Sequence, residues 1–118
     1  MTIIFRDEDK CDIAARELLL DAAFGSERHE KTCERLREGR TPAAGLSLVA
    51  QCDDALVATL RLWTIKAGTC DALLLGPLAV ADAYRGRGLG ARLIRLALNR
   101  AAVQGHRAVL LVGDAAYY

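Results

Sequence analysis

The sequence predicts a mixed α/β fold, in which an antiparallel meander passes into a single β–α–β crossover. Three observations predict it. Between residues 46 and 80, apolar runs of strand length follow one another across short turns, and strands joined that closely must be antiparallel. A glycine-rich stretch, Arg85-Gly86-Arg87-Gly88-Leu89-Gly90-Ala91, then opens a long apolar helical segment. A last apolar run, Ala108 to Val112, follows that helix, and a helix between two strands implies a parallel pair with a right-handed crossover. The chain has 118 residues, enough for one domain with one core.

Each element has a local reason. Thr2 to Arg6 alternates weakly and suggests a first strand. Asp7 to Asp9 supplies N-cap chemistry, and Ile13, Arg16, Glu17, Leu20, Ala23 and Phe24 then recur at helical spacing, with Ala14, Leu18 and Leu19 widening the apolar face. Gly25-Ser26 ends this helix. Ser26 to Glu38 reads as a second, highly charged helix anchored only by Leu36, either a plain surface helix or a cover for an acceptor site. Leu46, Leu48 and Ala50 alternate with Ser47, Val49 and Gln51 as a strand, and Asp53-Asp54 turns. Leu56 to Ile65 is the next strand, with Thr59 and Arg61 on one face. Ala67-Gly68-Thr69 turns into a third, Asp71 to Val80. Gly76-Pro77 interrupts that strand; proline cannot donate to a ladder, so this point marks an edge, a bulge or a place where strands part. The last helix runs from about Gly88 to Gln104, with Gly105 as its left-handed stop. Leu89, Leu93, Leu96 and Ala97 face the sheet, while Arg92, Arg95 and Asn99 form a polar stripe.

Composition narrows the function. Hydrophobic residues at 53% and charged residues at 26%, with a net charge of +1, fit a globular protein and give no reason to expect nucleic-acid binding. The arginines at 85, 87, 92, 95, 100 and 107 nevertheless meet one acid, Asp82, across residues 82–107. No apolar run reaches the ~20 residues of a membrane span, and the N-terminus has no signal-peptide core, so a cytoplasmic location without membrane contact is expected. The cysteines at 11, 33, 52 and 70 are widely spaced; they read as reduced thiols, and no metal site is expected.

The glycine stretch is the strongest chemical signal. Glycine lets the backbone approach an anion with no Cβ in the way. The first N–H groups of the following helix point at that anion, backed by the positive end of the helix dipole, and Arg85 and Arg87 add cationic donors suited to phosphate. A phosphorylated small molecule is the expected ligand. Gly-x-x-x-x-Gly-Lys-Ser/Thr is absent, which removes a P-loop nucleotidase. Gly86-x-Gly88-x-x-Ala91 matches the dinucleotide pattern of glycines, and a dinucleotide-binding oxidoreductase fragment is one alternative. Its position after an antiparallel meander, with little chain left and no acid ~20 residues on, counts against it.

The stretch with its context resembles the GNAT superfamily of acyl-CoA-dependent N-acetyltransferases, most of all its bacterial members. The family's CoA loop, Arg/Gln-x-x-Gly-x-Gly/Ala, is met by Arg85, Gly88 and Gly90. Leu75-Gly76-Pro77-Leu78-Ala79-Val80 stands where the strand before the loop belongs, and Val109-Leu110-Leu111-Val112-Gly113-Asp114 where the strand after the helix belongs. The likeness covers residues 45–118 well and 1–40 only by element order. It implies acetyl-CoA as co-substrate and a small-molecule or peptide amine as acceptor. The pyrophosphate would rest on the main chain of Arg87, Gly88, Leu89, Gly90 and Ala91, with Arg85 beside it. Leu78, Ala79 and Val80 would pair with pantetheine like an added strand, and an N–H near Leu78 or Val80 would polarise the thioester carbonyl, worth roughly 3 kcal/mol. The family's acid for the leaving thiolate is often a tyrosine after the fifth strand; Tyr118 falls there, with Tyr117 beside it. No general base is legible: the family often has a carboxylate on the strand carrying Gly76, and none is present there.

The resemblance also implies a further helix and two strands beyond the fifth strand, where this sequence ends. The expected domain is thus GNAT-like but truncated, a single incomplete unit over residues 1–118, with association into a homodimer as one way to cover the strand edge. A catalytically weak acyl-CoA-binding or assembly module is the second functional class to set against an acetyltransferase.

Overall fold

A computed structural model describes residues 3–24, 42–67 and 70–111. Strand β1 (Ile3–Asp7) leads through a one-turn 3₁₀ segment at Lys10–Asp12 into helix α1 (Ile13–Phe24). Strands β2 (Pro42–Cys52), β3 (Ala55–Ala67) and β4 (Cys70–Val80) form the meander, followed by helix α2 (Leu89–Val103) and strand β5 (Val109–Leu111). The strands lie in chain order in one sheet, antiparallel until β4 and β5, which pair in parallel from Leu73↔Val109 to Leu75↔Leu111. One parallel neighbour at the end of a meander is not the doubly wound sheet that a dinucleotide fold requires. The charged segment Ser26–Glu38 lies outside the described residues.

The two helices take opposite faces. Leu89, Leu93, Ala97 and Ala101 recur every fourth position along α2 and bury themselves against Leu46, Leu48 and Ala50 of β2, Leu60 and Leu62 of β3, and Leu73, Leu75 and Leu78 of β4. Helix α1 packs on the other side of β3 and β4. The buried line along the 3₁₀ turn and α1 is Asp12, Arg16 and Leu20, whereas Ile13 and Leu18 are exposed. Of the positions expected at helical spacing, Arg16 and Leu20 dock, whereas Ile13 and Leu18 do not. Paired charges explain the difference. Arg16 is buried because Glu8 meets it at 2.8 Å and Glu17 at 2.7 Å, and Asp12 because Arg6 clasps both its oxygens, at 2.7 and 2.9 Å. Asp12 also accepts from the main chain of Asp9, closing a capping box on the 3₁₀ turn.

Strand limits differ from the sequence expectation mainly at β2. It begins at Pro42, not Leu46, with a register shift between Pro42 and Ser47. A glycine at 45, with φ of +74°, sits inside that shift and hid the pattern. In β4, the expected break at Gly76-Pro77 is a bulge. Leu75 pairs with Leu62 and Leu78 with Leu60, so two residues of β4 stand opposite Arg61 alone.

Candidate active site

The bulge decides where the main chain of β4 points. Before it, Leu73 donates to Ala108 of the β5 side; after it, Ala81 donates to Val57 of β3. Odd-numbered residues thus face away from β3 first and toward β3 afterwards, because the additional residue inverts the alternation. Leu78 and Val80 accordingly direct their amide and carbonyl groups away from β3. The Val80 carbonyl accepts from Arg85 Nε at 3.3 Å on that side. Their side chains turn toward α2 and line a cleft of about 430 Å³. Ala79, fully buried, faces the other way.

The opposite wall is the turn and the first residues of α2. A one-turn 3₁₀ segment at Asp82–Tyr84 brings Arg85 round, and Gly86 and Gly88 then take φ of +80° and +77°. An L side chain rarely adopts this conformation, and a Cβ at either position would meet nothing within 4 Å. Glycine is required there by the backbone angle, not by crowding. Gly88 is the N-cap of α2 and has no side chain with which to cap it. The first helical bond is Arg92 N–H to Gly88 C=O, at 3.0 Å. The N–H groups of Leu89, Gly90 and Ala91 therefore find no acceptor among the described residues, and all three residues line the cleft. Three unsatisfied donors at the positive end of a 15-residue helix form a seat for an anion.

The cleft gathers Leu78, Val80, Arg85, Gly86, Gly88, Leu89, Gly90 and Ala91 of the residues singled out in the sequence, and adds Tyr84 and Ile94. Arg87 is not part of the lining; its guanidinium lies 5.2 Å from the centre of the Tyr84 ring. Hydrogen bonding with Cys52, buried behind it, holds the Tyr84 hydroxyl above the ordinary phenol range. Tyr84 carried a usable signal, an aromatic immediately before the arginine of the loop. Ile94 carried none, since it reads as one more apolar helix position. Tyr117 and Tyr118 lie outside the described residues. Asp71, at 85% side-chain exposure, pairs with Lys66 at 3.6 Å, far along β4 from the cleft. Among the described residues no group of three histidine, cysteine or acidic side chains converges on a point where a metal could sit, and no helix is long and apolar enough to cross a membrane.

Known proteins share this fold. The sequence profile of the acetyltransferase (GNAT) family matches residues 13–117. An uncharacterised N-acetyltransferase of Escherichia coli strain K12, YjhQ, is 32% identical over 97% of this chain, and the match covers 65% of YjhQ. A GNAT family acetyltransferase from Brucella melitensis, solved in complex with acetyl-CoA, superposes with a TM-score of 0.80 at 28% identity, over 99% of this chain and 79% of that one. The GNAT family N-acetyltransferase YhbS of Escherichia coli, solved in complex with CoA, gives a TM-score of 0.81 at 30% identity, over 98% of this chain and 65% of YhbS. The chain thus spans just under two thirds of the length of YjhQ and of YhbS.

Proposed function

Because the chain belongs to the GNAT family of acetyltransferases, we propose that its cleft holds acetyl-CoA and that the domain directs the acetyl group to a primary amine. The observation that carries this reading is the row of unsatisfied N–H groups at Leu89, Gly90 and Ala91 beside the redirected main chain of Leu78 and Val80. The fit is chemical as well as spatial. A pyrophosphate supplies the acceptor oxygens that three main-chain donors lack, and Arg85 and Arg87 add cationic charge at the same end of the helix. A pantetheine arm carries amides that can pair with strand residues facing away from their neighbour, as added strands do. The Brucella and YhbS structures were solved with acetyl-CoA and CoA respectively.

When bound, acetyl-CoA supplies its acetyl group as a thioester open to direct attack by an amine. The chain's own contribution is placement. Main-chain donors hold the diphosphate, and the N–H of Leu78 or Val80 faces the developing oxyanion, a contact worth roughly 3 kcal/mol. Tyr118, with Tyr117 as neighbour, is the proposed proton donor to the departing sulfur, and the proton lost by the attacking amine leaves through water as the N–C bond forms and the C–S bond breaks. The acceptor is a small-molecule or peptide amine.

Titration calorimetry with acetyl-CoA tests the donor half, and release of free thiol across a panel of amines tests the transfer. Saturable binding with thiol release is expected. Absence of any binding heat defeats the reading, whereas binding without thiol release would leave an acyl-CoA-binding module.

A further inference from the structure

We propose that Trp63 is a positioning residue for the acyl donor. By holding the Gly76 carbonyl, its indole fixes the bulge that aims the main chain of Leu78 and Val80 away from β3. The inference rests on the reading of the cleft as an acetyl-CoA site. It adds a residue that lies on β3, outside both the glycine turn and the cleft lining.

The bulge creates a polar problem that Trp63 solves. Gly76 and Pro77 stand opposite Arg61 without a register partner. Pro77 has no N–H to offer. Gly76 has φ of +130°, and its carbonyl accepts from Trp63 Nε1 at 2.6 Å. Trp63 sits opposite Leu74 in the ladder, two residues along β3 from the gap in the pairing. Its side chain shares a face of β3 with Thr59 and Arg61, the face on which α1 packs. The cleft lies on the α2 side of the same bulge. The indole therefore reaches the reacting region from behind the sheet.

Trp63 is itself braced. The Arg61 guanidinium lies 5.7 Å from its ring centre. Arg61 is ion-paired to Glu8, whose side chain is only 7% exposed and is bonded in turn by Arg16 of α1 at 2.8 Å. A line of contacts thus runs from α1 through the end of β1 and across β3 to the bulged strand. Glu8, Arg16, Arg61 and Trp63 all lie outside the cleft lining. The effect of the line is to remove alternatives: with Gly76 held, the residues after it keep the inverted alternation that presents Leu78 and Val80 to the cleft.

The test separates the two halves of CoA. Trp63→Phe keeps an aromatic ring next to Arg61 and removes the N–H. Calorimetry on the full 118-residue chain compares CoA with 3′-phosphoadenosine 5′-diphosphate, which carries the diphosphate but no pantetheine. We expect the variant to bind CoA about tenfold more weakly, the loss that one part-buried hydrogen bond accounts for. The nucleotide half should bind within about twofold of wild type, as its seat on α2 is unaltered. Equal affinities for CoA in variant and wild type, or a parallel loss for both ligands, would overturn the proposal. Failure of the wild type to bind either ligand overturns the reading of the cleft itself. Should the variant fail to fold, the wild type still decides. Trp63 is the sole tryptophan of the chain, so its emission should shift on adding CoA and stay still on adding the nucleotide half. An unchanged spectrum with saturating CoA would again overturn it.

Discussion

At the residue scale, the site depends on glycines whose backbone angles other residues rarely reach. Gly88 is the clearest case. A Cβ there meets no neighbour, so Gly88→Ala carries only the cost of the left-handed conformation, about 1 kcal/mol. We expect a melting temperature lowered by a few degrees, but CoA affinity reduced at least tenfold by calorimetry, because relaxation of the angle turns the α2 amides. Retention of full affinity at reduced stability would show that the angle does not set the donors. Arg85, Gly88 and Gly90 were legible from sequence because their spacing has few other uses, and Pro77 because proline inside a strand always needs an explanation. Trp63 was not legible. An aromatic residue in a strand reads as packing, and only the register shows that its N–H lies beside a carbonyl displaced from the ladder.

At the element scale, β1 and α1 are joined by charge. The Arg6 guanidinium holds the Asp12 carboxyl down to about 2 from an ordinary value of 3.8. A carboxyl depressed in the folded state stabilises the fold above its unfolded value and ceases to do so as pH falls through the folded one. Denaturant unfolding followed by circular dichroism should therefore show stability declining from about pH 4 toward pH 2. Asp12→Asn should flatten that decline while costing about 1–3 kcal/mol at neutral pH. An equally steep acid limb in the variant would exclude Asp12 as its source. The existence and order of these elements were legible: β3, β4 and α2 follow alternation, a turn at Asp53-Asp54 and a glycine stop at 105. The docking face of α1 was legible only in part, at Arg16 and Leu20. Its buried polar residues are matched by Glu8 on the 3₁₀ approach and by neighbours such as Arg6, contacts that hydrophobic spacing does not register. The early start of β2 was hidden by the irregular pairing at Gly45.

At the scale of the whole molecule, a sheet covered on both faces places its ligand cleft where one helix begins and one strand departs from regular pairing. The two walls come from residues 78–94, so the site depends on how closely α2 seats against β4. Leu93, at 0% exposure, is central to that seating. Leu93→Ala should cost about 2.5–5 kcal/mol in urea unfolding and weaken CoA binding along with stability, in contrast to Trp63→Phe. A loss below about 1 kcal/mol would mean that the helix is anchored elsewhere. The donors that greet the proposed anion belong to the polypeptide spine and not to any side chain. Substituting a side chain there leaves them in place, because every residue but proline carries a main-chain N–H. A grip built in this way can survive the replacement of most surrounding residues, which suits a fold held in common with proteins only 28–30% identical to this chain. Descent would then preserve the curve of the chain at 86–88 more faithfully than the letters on either side of it.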